Sequence, residues 1–307
     1  MSHAATEHSH RIAELASSLW YRYAPHVSQR HDIAIGTVAA ASLIRMPHND
    51  GQAVAARWED SDDEQLIRQL NRVWSFRWLE DPYLWHAASA VRTWIDEPHD
   101  SETLRAVRIL MAEVLRAGIL DLTGSLVPIE RTAADVLGAV LTYMRADQSR
   151  RALGEHHTPP DYADTLIAAL LGGTWMGPDA VAELPTSGAG ICDPCAGTGG
   201  LIRSTARSIY QLGGNPSDYR WFMNDLDPLA AACSAVNAMT WGLSPYAVVS
   251  CADILADAQA IEKQIPVRLT VLHHQRETRV AAELLARVQM LTSDDMPRIL
   301  DSRAVAK

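Results

Sequence analysis

The sequence predicts an α/β protein, a Rossmann-like domain with a partial parallel sheet, preceded by an all-α N-terminal domain. Three observations carry this. The first 150 residues read as one helix after another. Beyond residue 157, short apolar runs alternate with helical ones. The first such run, ICDPCAGTGGLI at 191–202, passes from a strand through a glycine-rich turn into a helix. The boundaries that follow are a helical domain at 1–150, an α/β domain at 151–272 and a helical C-terminal tail at 273–307.

The elements justify this in order. SDDEQLIRQLNRVW places Ser61 and Glu64 at capping-box spacing ahead of an apolar face of Leu66, Leu70, Val73 and Trp74. DSETLRAVRILMAEVLRAG puts Leu104, Val107, Met111, Val114 and Leu115 on one side and stops at Gly118. RTAADVLGAVLTYMRA gives a further helix. Six of the nine tryptophans lie between Trp20 and Trp94, which reads as packing in a helical core. Asp81-Pro82-Tyr83 reads as a helix start.

The polar stretch DQSRRALGEHH at 147–157 is a linker, and the grammar then changes. TPPDYADTLIAALLGG is a helix with Thr158 as cap and Gly172–Gly173 as stop. GAGICDP, YRWFMND and YAVVSCAD are strands, separated by the helices GTGGLIRSTARSIYQLGG and DPLAAACSAVNAMTWGL. This βαβαβ order implies a parallel sheet. IPVRLTVLHH at 265–274 reads as a fourth strand, followed by the helix RETRVAAELLARVQML.

Bulk properties exclude some classes. Net charge is −10 over 307 residues, so this is no bulk polycation, and any nucleic-acid contact needs a local basic groove or a partner's surface. The polar start MSHAATEHSH has no apolar signal region, and no run reaches the ~18 residues of a membrane helix. A cytoplasmic protein with reduced thiols is expected. Cys192 and Cys195 form a C-x-x-C pair, but Cys233 and Cys251 are not spaced to complete a zinc site, and Cys192 ends a strand rather than opening a helix. The cysteines read as structural, with no metal.

The turn Gly197-Thr198-Gly199-Gly200 lets backbone approach a ligand and points the N–H groups of a helix start at it. No Gly-Lys-Ser/Thr follows, so this is no Walker loop. Ile202 stands where a dinucleotide fingerprint has its last glycine. The second strand ends in Asp225, suited to accept from two ribose hydroxyls. The third ends in Asp253-Ile254, suited to an adenine amino group and ring. Turn and two acids together describe an adenosine site without phosphate, which S-adenosylmethionine fits.

At these residues the chain resembles the adenine-specific (N6) DNA methylases that form the modification subunit of type I restriction systems. DPCAGTGGLI resembles that family's D-P-x-x-G-[ST]-G-G-[FL]-[LI] motif. GEHHTPPDYADTLI at 154–167 resembles its G-x-[YF]-[YF]-T-P segment, with His156–His157 in place of the aromatic pair. Asn237 matches its asparagine in the following helix. HDIAIGTVAAASLI and TWGL look like a short actinobacterial branch. The resemblance covers roughly residues 120–255. It implies a class I methyltransferase domain with S-adenosylmethionine held by Thr158, Pro159, Asp193, Pro194, Gly197, Thr198, Gly199, Asp225, Asp253 and Ile254, and DNA as the substrate.

That family also implies [DN]-P-P-[FY] at the end of strand four, where side chain and carbonyl accept the adenine amino hydrogens and the aromatic stacks on the flipped base. The chain has no such motif. The corresponding stretch ends in His273–His274, weak catalytic candidates, since a neutral imidazole cannot supply the paired geometry. The fold has seven strands and the chain supplies four. No target-recognition domain follows either, so a specificity or catalytic partner is implied. A homodimer in which the tail completes the sheet stays open. Arg145, Arg150 and Arg151 are the DNA-contact candidates, with Arg203 and Arg207 beside them. Two alternatives remain: a non-catalytic S-adenosylmethionine-binding regulator or scaffold, and a small-molecule methyltransferase using His273 or His274 as base.

Overall fold

The computed structural model describes residues 2–46, 50–145, 158–171, 184–243 and 245–292. Two compact units are present, Met1–Ile265 and Pro266–Lys307. In the first, the helical elements are α1 (Ser2–Tyr23), α2 (His31–Ser42), α3 (Gly51–Glu59), α4 (Asp63–Glu80), α5 (Pro82–Ala87), α6 (Ser101–Arg116), α7 (Ile119–Thr123), α8 (Pro128–Arg131) and α9 (Val136–Met144). Then come α10 (Pro160–Leu171), β1 (Gly190–Asp193), α11 (Gly200–Gln211), β2 (Arg220–Asp225), α12 (Pro228–Trp241) and β3 (Ala247–Cys251).

Local chemistry explains the helices. Asp100 caps α6 by accepting from the Thr103 N–H, and Leu104, Val107, Leu110, Met111, Val114 and Leu115 are buried along its length. Gly118 ends it at φ +84°. The capping box of α4 is displaced by one residue from the expected Ser61–Glu64. Asp62 and Gln65 exchange the two bonds, because the Ser61 hydroxyl is taken by the Trp58 carbonyl at the end of α3. The central helix is α2, buried at every position from Ile33 to Ser42. Trp20, Trp74 and Trp94 are buried around it, so the tryptophans do serve packing.

The sheet has three parallel strands in the order β1-β2-β3. In register, Ile191 lies beside Trp221 and Ala247, and Asp193 beside Met223 and Val249. Trp221 and Met223 are fully buried on that face. Asn224 is a buried polar residue in the central strand. Its Nδ2 donates to the carbonyls of Pro194 and Ala252, each at 3.0 Å, and its Oδ1 accepts the Ser250 hydroxyl at 2.6 Å. One side chain thus ties together the loops that leave β1 and β3.

The outer edge of β3 is plugged by the helical part of the chain. Asp81-Pro82-Tyr83 does start a helix, α5, and this aims Tyr83 at β3. The Tyr83 hydroxyl donates to the Val249 carbonyl at 2.8 Å and accepts from the Val249 N–H at 3.1 Å. A phenol satisfies one donor and one acceptor that a further strand would otherwise take. Tyr83→Phe removes both bonds and keeps the ring. Each orphaned backbone group costs ~1–3 kcal/mol, so denaturant unfolding should show a loss of about 2 kcal/mol or more. A loss below about 0.5 kcal/mol would show that the edge does not depend on the hydroxyl.

The expected fourth strand at 265–274 is a helix. Residues Gln264–Thr292 form one continuous helix, α13. The alternation Val267, Leu269, Val271 invited the strand reading. The same stretch carries Val267, Val271, Leu272 and Gln275 at helical spacing, and these are its less exposed positions. Pro266 sits in the first turn, where its missing N–H is not needed. The sheet described here therefore has three strands, not four. Among the described residues no helix is long and apolar enough to cross a membrane.

Candidate functional site

The site forms where β1 and β2 end. The chain leaves β1 at Asp193, whose Oδ1 accepts the Cys195 N–H at 3.2 Å, and the Ala196 N–H donates to the Asn224 carbonyl at 2.8 Å. The turn then needs positive φ at Gly197 (+57°) and Gly199 (+96°), a backbone that L side chains avoid. Gly199 is the N-cap of α11, so the first N–H groups of that helix open toward the cleft.

Asp225 ends β2 and grips this turn. Its Oδ2 accepts the Gly197 N–H at 2.8 Å, and its Oδ1 accepts the Asp227 N–H at 2.9 Å. A carboxylate has about four acceptor positions, and these two bonds use two of them. Asp225 itself is not among the residues that line the cleft opening on the turn. Burial pushes the Asp193 carboxyl up from its ordinary value. The Cys195 N–H opposes this, and the Asp225 charge adds to it. Two carboxylates thus stand close at the ends of adjacent strands.

A cleft of about 150 Å³ opens on the turn, walled by Thr158, Asp193, Gly197, Thr198 and Gly200 on the α/β side. The sequence reading missed its other wall, which is helical: Thr6, Ser9 and His10 of α1 with Asp135, Gly138 and Thr142 of α9 and its cap. Thr158 and Pro160 line the cleft, whereas Pro159 between them does not; its carbonyl accepts the Ala163 N–H and starts α10. Pro194 is exposed in the turn, its carbonyl held by Asn224. Asp253 is exposed just past β3, with Oδ1 accepting the Leu255 and Ala256 N–H groups, and Ile254 beside it is half-buried. Asn237 is buried on α12, with Nδ2 donating to the Thr198 carbonyl and to Asp135 Oδ1, each at 2.8 Å.

The basic candidates fall differently. Arg145 is a buried ion pair, not a surface cation: its Nη2 meets Asp227 Oδ2 at 2.5 Å, with side-chain exposures of 7% and 14%. Asp227 also caps α12 through the Ala230 N–H at 2.7 Å. Arg203 is likewise buried, at 1% exposure. Its Nη2 donates to Asp164 Oδ1 at 2.7 Å and its Nη1 to the Thr132 carbonyl at 2.9 Å. It therefore ties α10 and the helical part to α11. Arg150, Arg151, His156 and His157 lie outside the described residues. His273 and His274 are exposed on α13, in the second unit, and His273 faces Glu277 at 3.1 Å. They leave no strand, contrary to expectation. Cys192, Cys195 and Cys251 are exposed free thiols and Cys233 a buried one. Burial raises Cys233 above an ordinary thiol, and partial desolvation raises Cys192, helped by Asp193, and Cys251, helped by Asp227 and Asp225.

No protein-family model matches the chain, and no curated protein matches it. Among solved structures, the chain is similar to the type I restriction-modification system methyltransferase subunit from Streptococcus thermophilus. The identity is 14% and the TM-score 0.38, over 84% of this chain and 60% of that one. The chain thus spans somewhat over half the length of that subunit.

Proposed function

We propose that the chain binds S-adenosylmethionine and acts as a DNA adenine-N6 methyltransferase-like protein of the type I modification kind, together with a partner. The observation that carries the reading is the Asp225 carboxylate holding the Gly197 N–H across the ends of β1 and β2, with Asp193 beside it. The residues fit this cofactor. Two neighbouring carboxylates favour a ligand that brings positive charge and hydroxyl donors. The N–H groups opening α11 favour its carboxylate. The cleft is smaller than the ~300–1,000 Å³ that swallows a whole drug-sized ligand. It takes the methionine limb, leaving Asp225, Asp253 and Ile254 for ribose and adenine. Thr158 borders the methionine limb. When bound, the cofactor supplies a methyl group on a sulfonium, and the chain's own residues orient it.

Transfer to adenine needs an acceptor for the amino hydrogens and an aromatic for the base. The 307 residues hold no [DN]-P-P-[FY] motif, and in this proposal a partner supplies both, together with the reading of DNA. The three-stranded sheet favours one second reading, a cofactor-binding regulator that transfers no methyl group itself. Calorimetric titration with S-adenosylmethionine, NAD as control, tests the shared part. Micromolar binding of the first alone is expected, and binding of neither overturns it. Transfer of labelled methyl to duplex DNA by the chain together with its co-purified partner separates the two readings: methylated adenine supports the first, and cofactor binding without transfer supports the second.

A further inference from the structure

We infer that Asp135, in the helical part of the chain, is a positioning residue for the cofactor turn. The inference rests on the cofactor reading above and adds to it a residue that no turn motif contains.

A glycine on each side leaves Thr198 with little rigidity of its own. The rigidity comes from outside the turn. The Thr198 hydroxyl donates to Asp135 Oδ2 at 2.6 Å, and the Thr198 carbonyl accepts from Asn237 Nδ2 at 2.8 Å. The same Asn237 Nδ2 donates to Asp135 Oδ1, also at 2.8 Å. Asp135 Oδ1 further accepts the Gly138 N–H at 2.8 Å, the ordinary work of an N-cap on α9. One carboxylate thus starts a helix with Oδ1, holds the turn directly with Oδ2, and fixes with Oδ1 the Asn237 that holds the turn's carbonyl. Turn, α12 and helical part converge on it.

Gly138 carries an independent mark of the same clamp. Glycine is a poor choice inside a helix. Here a Cβ would stand 2.5 Å from Asp135 Oδ2 and 2.7 Å from Thr198 Oγ1. The pair closes directly over the glycine, and both Asp135 and Gly138 line the cleft. Holding the turn in shape before the ligand arrives spares the ordering cost on binding. Cofactor affinity is therefore set partly by a residue of the helical part.

The test uses the full chain and titration with S-adenosylmethionine, alongside thermal melts without it. Asp135→Ser keeps a cap for Gly138 but cannot reach Thr198 or Asn237. It should bind ~10-fold more weakly, the worth of one lost hydrogen bond, with its melting midpoint close to that of the parent. Asp135→Asn keeps the acceptor and can donate to Thr198 Oγ1, and should restore binding to within ~3-fold. Gly138→Ala should weaken binding as Asp135→Ser does. If Asp135→Ser fails to fold, Asn237→Ala decides the same question from the other side of the clamp. Parent-like affinity in Asp135→Ser, while Asp225→Ala binds weakly, overturns this inference alone. No binding by the parent chain overturns the cofactor reading and this inference with it.

Discussion

An Arg203→Met chain should unfold well below the parent. The guanidinium is 1% exposed and reaches Asp164 on α10, the Thr132 carbonyl in the helical part and the Ser204 hydroxyl on its own helix. Removing it breaks the buried pair with Asp164, whose Oδ1 also accepts the Ser204 hydroxyl. Breaking a buried pair from one side costs about 3–5 kcal/mol. At about 2–4 °C per kcal/mol for a unit of this size, the melting midpoint should fall by roughly 6–20 °C. Arg203→Lys should recover only part of this, because an ammonium cannot fork to a carboxylate and a carbonyl in different directions. Calorimetric melts of the three chains decide it. A fall under about 2 °C for the methionine variant would mean that the ion pair adds nothing net to packing.

Asp225→Ala should abolish most cofactor binding. The carboxylate holds two backbone N–H groups, Gly197 at 2.8 Å and Asp227 at 2.9 Å, and in the proposed site it also accepts from the ligand. Each charge-assisted bond is worth about 1.5–3 kcal/mol. Losing one ligand bond and the shape of the turn together should raise the dissociation constant ~100-fold. Asp225→Asn keeps one acceptor oxygen and should fall between. Titration calorimetry on chains verified as folded reads the effect. Unchanged affinity would take Asp225 out of the site, and with it the geometry on which the cofactor reading stands.

The placing of the glycine turn and its acids at the strand ends was legible because that grammar is local. A glycine turn, an acid closing one strand and an acid closing the next fall within about one βαβ unit, and each lies where its neighbours in sequence put it. The helical contribution was not legible, because it crosses long stretches of chain. Asp135 reads as an ordinary cap, and its partners Thr198 and Asn237 are 63 and 102 residues away. Arg203 and Arg145 read as surface cations because arginine usually is one. Nothing adjacent to them announces Asp164 or Asp227. Asn224 did carry a signal, a polar residue in an otherwise apolar strand, and the reading passed over it. The strand at 265–274 failed for another reason. Its apolar alternation satisfies both periods over ten residues, and only the longer run to Thr292 decides for the helix.

The phenol of Tyr83 has a consequence in polymer terms. A sheet grows by adding monomers to a live end, and a bare β3 would be such an end for any extended chain nearby. Tyr83 works as a chain terminator does: it occupies the reactive position and bonds once in each direction to Val249. An arriving strand must first evict it and forgo two bonds before forming its own. Extension at that end is therefore quenched by a residue that belongs to no strand.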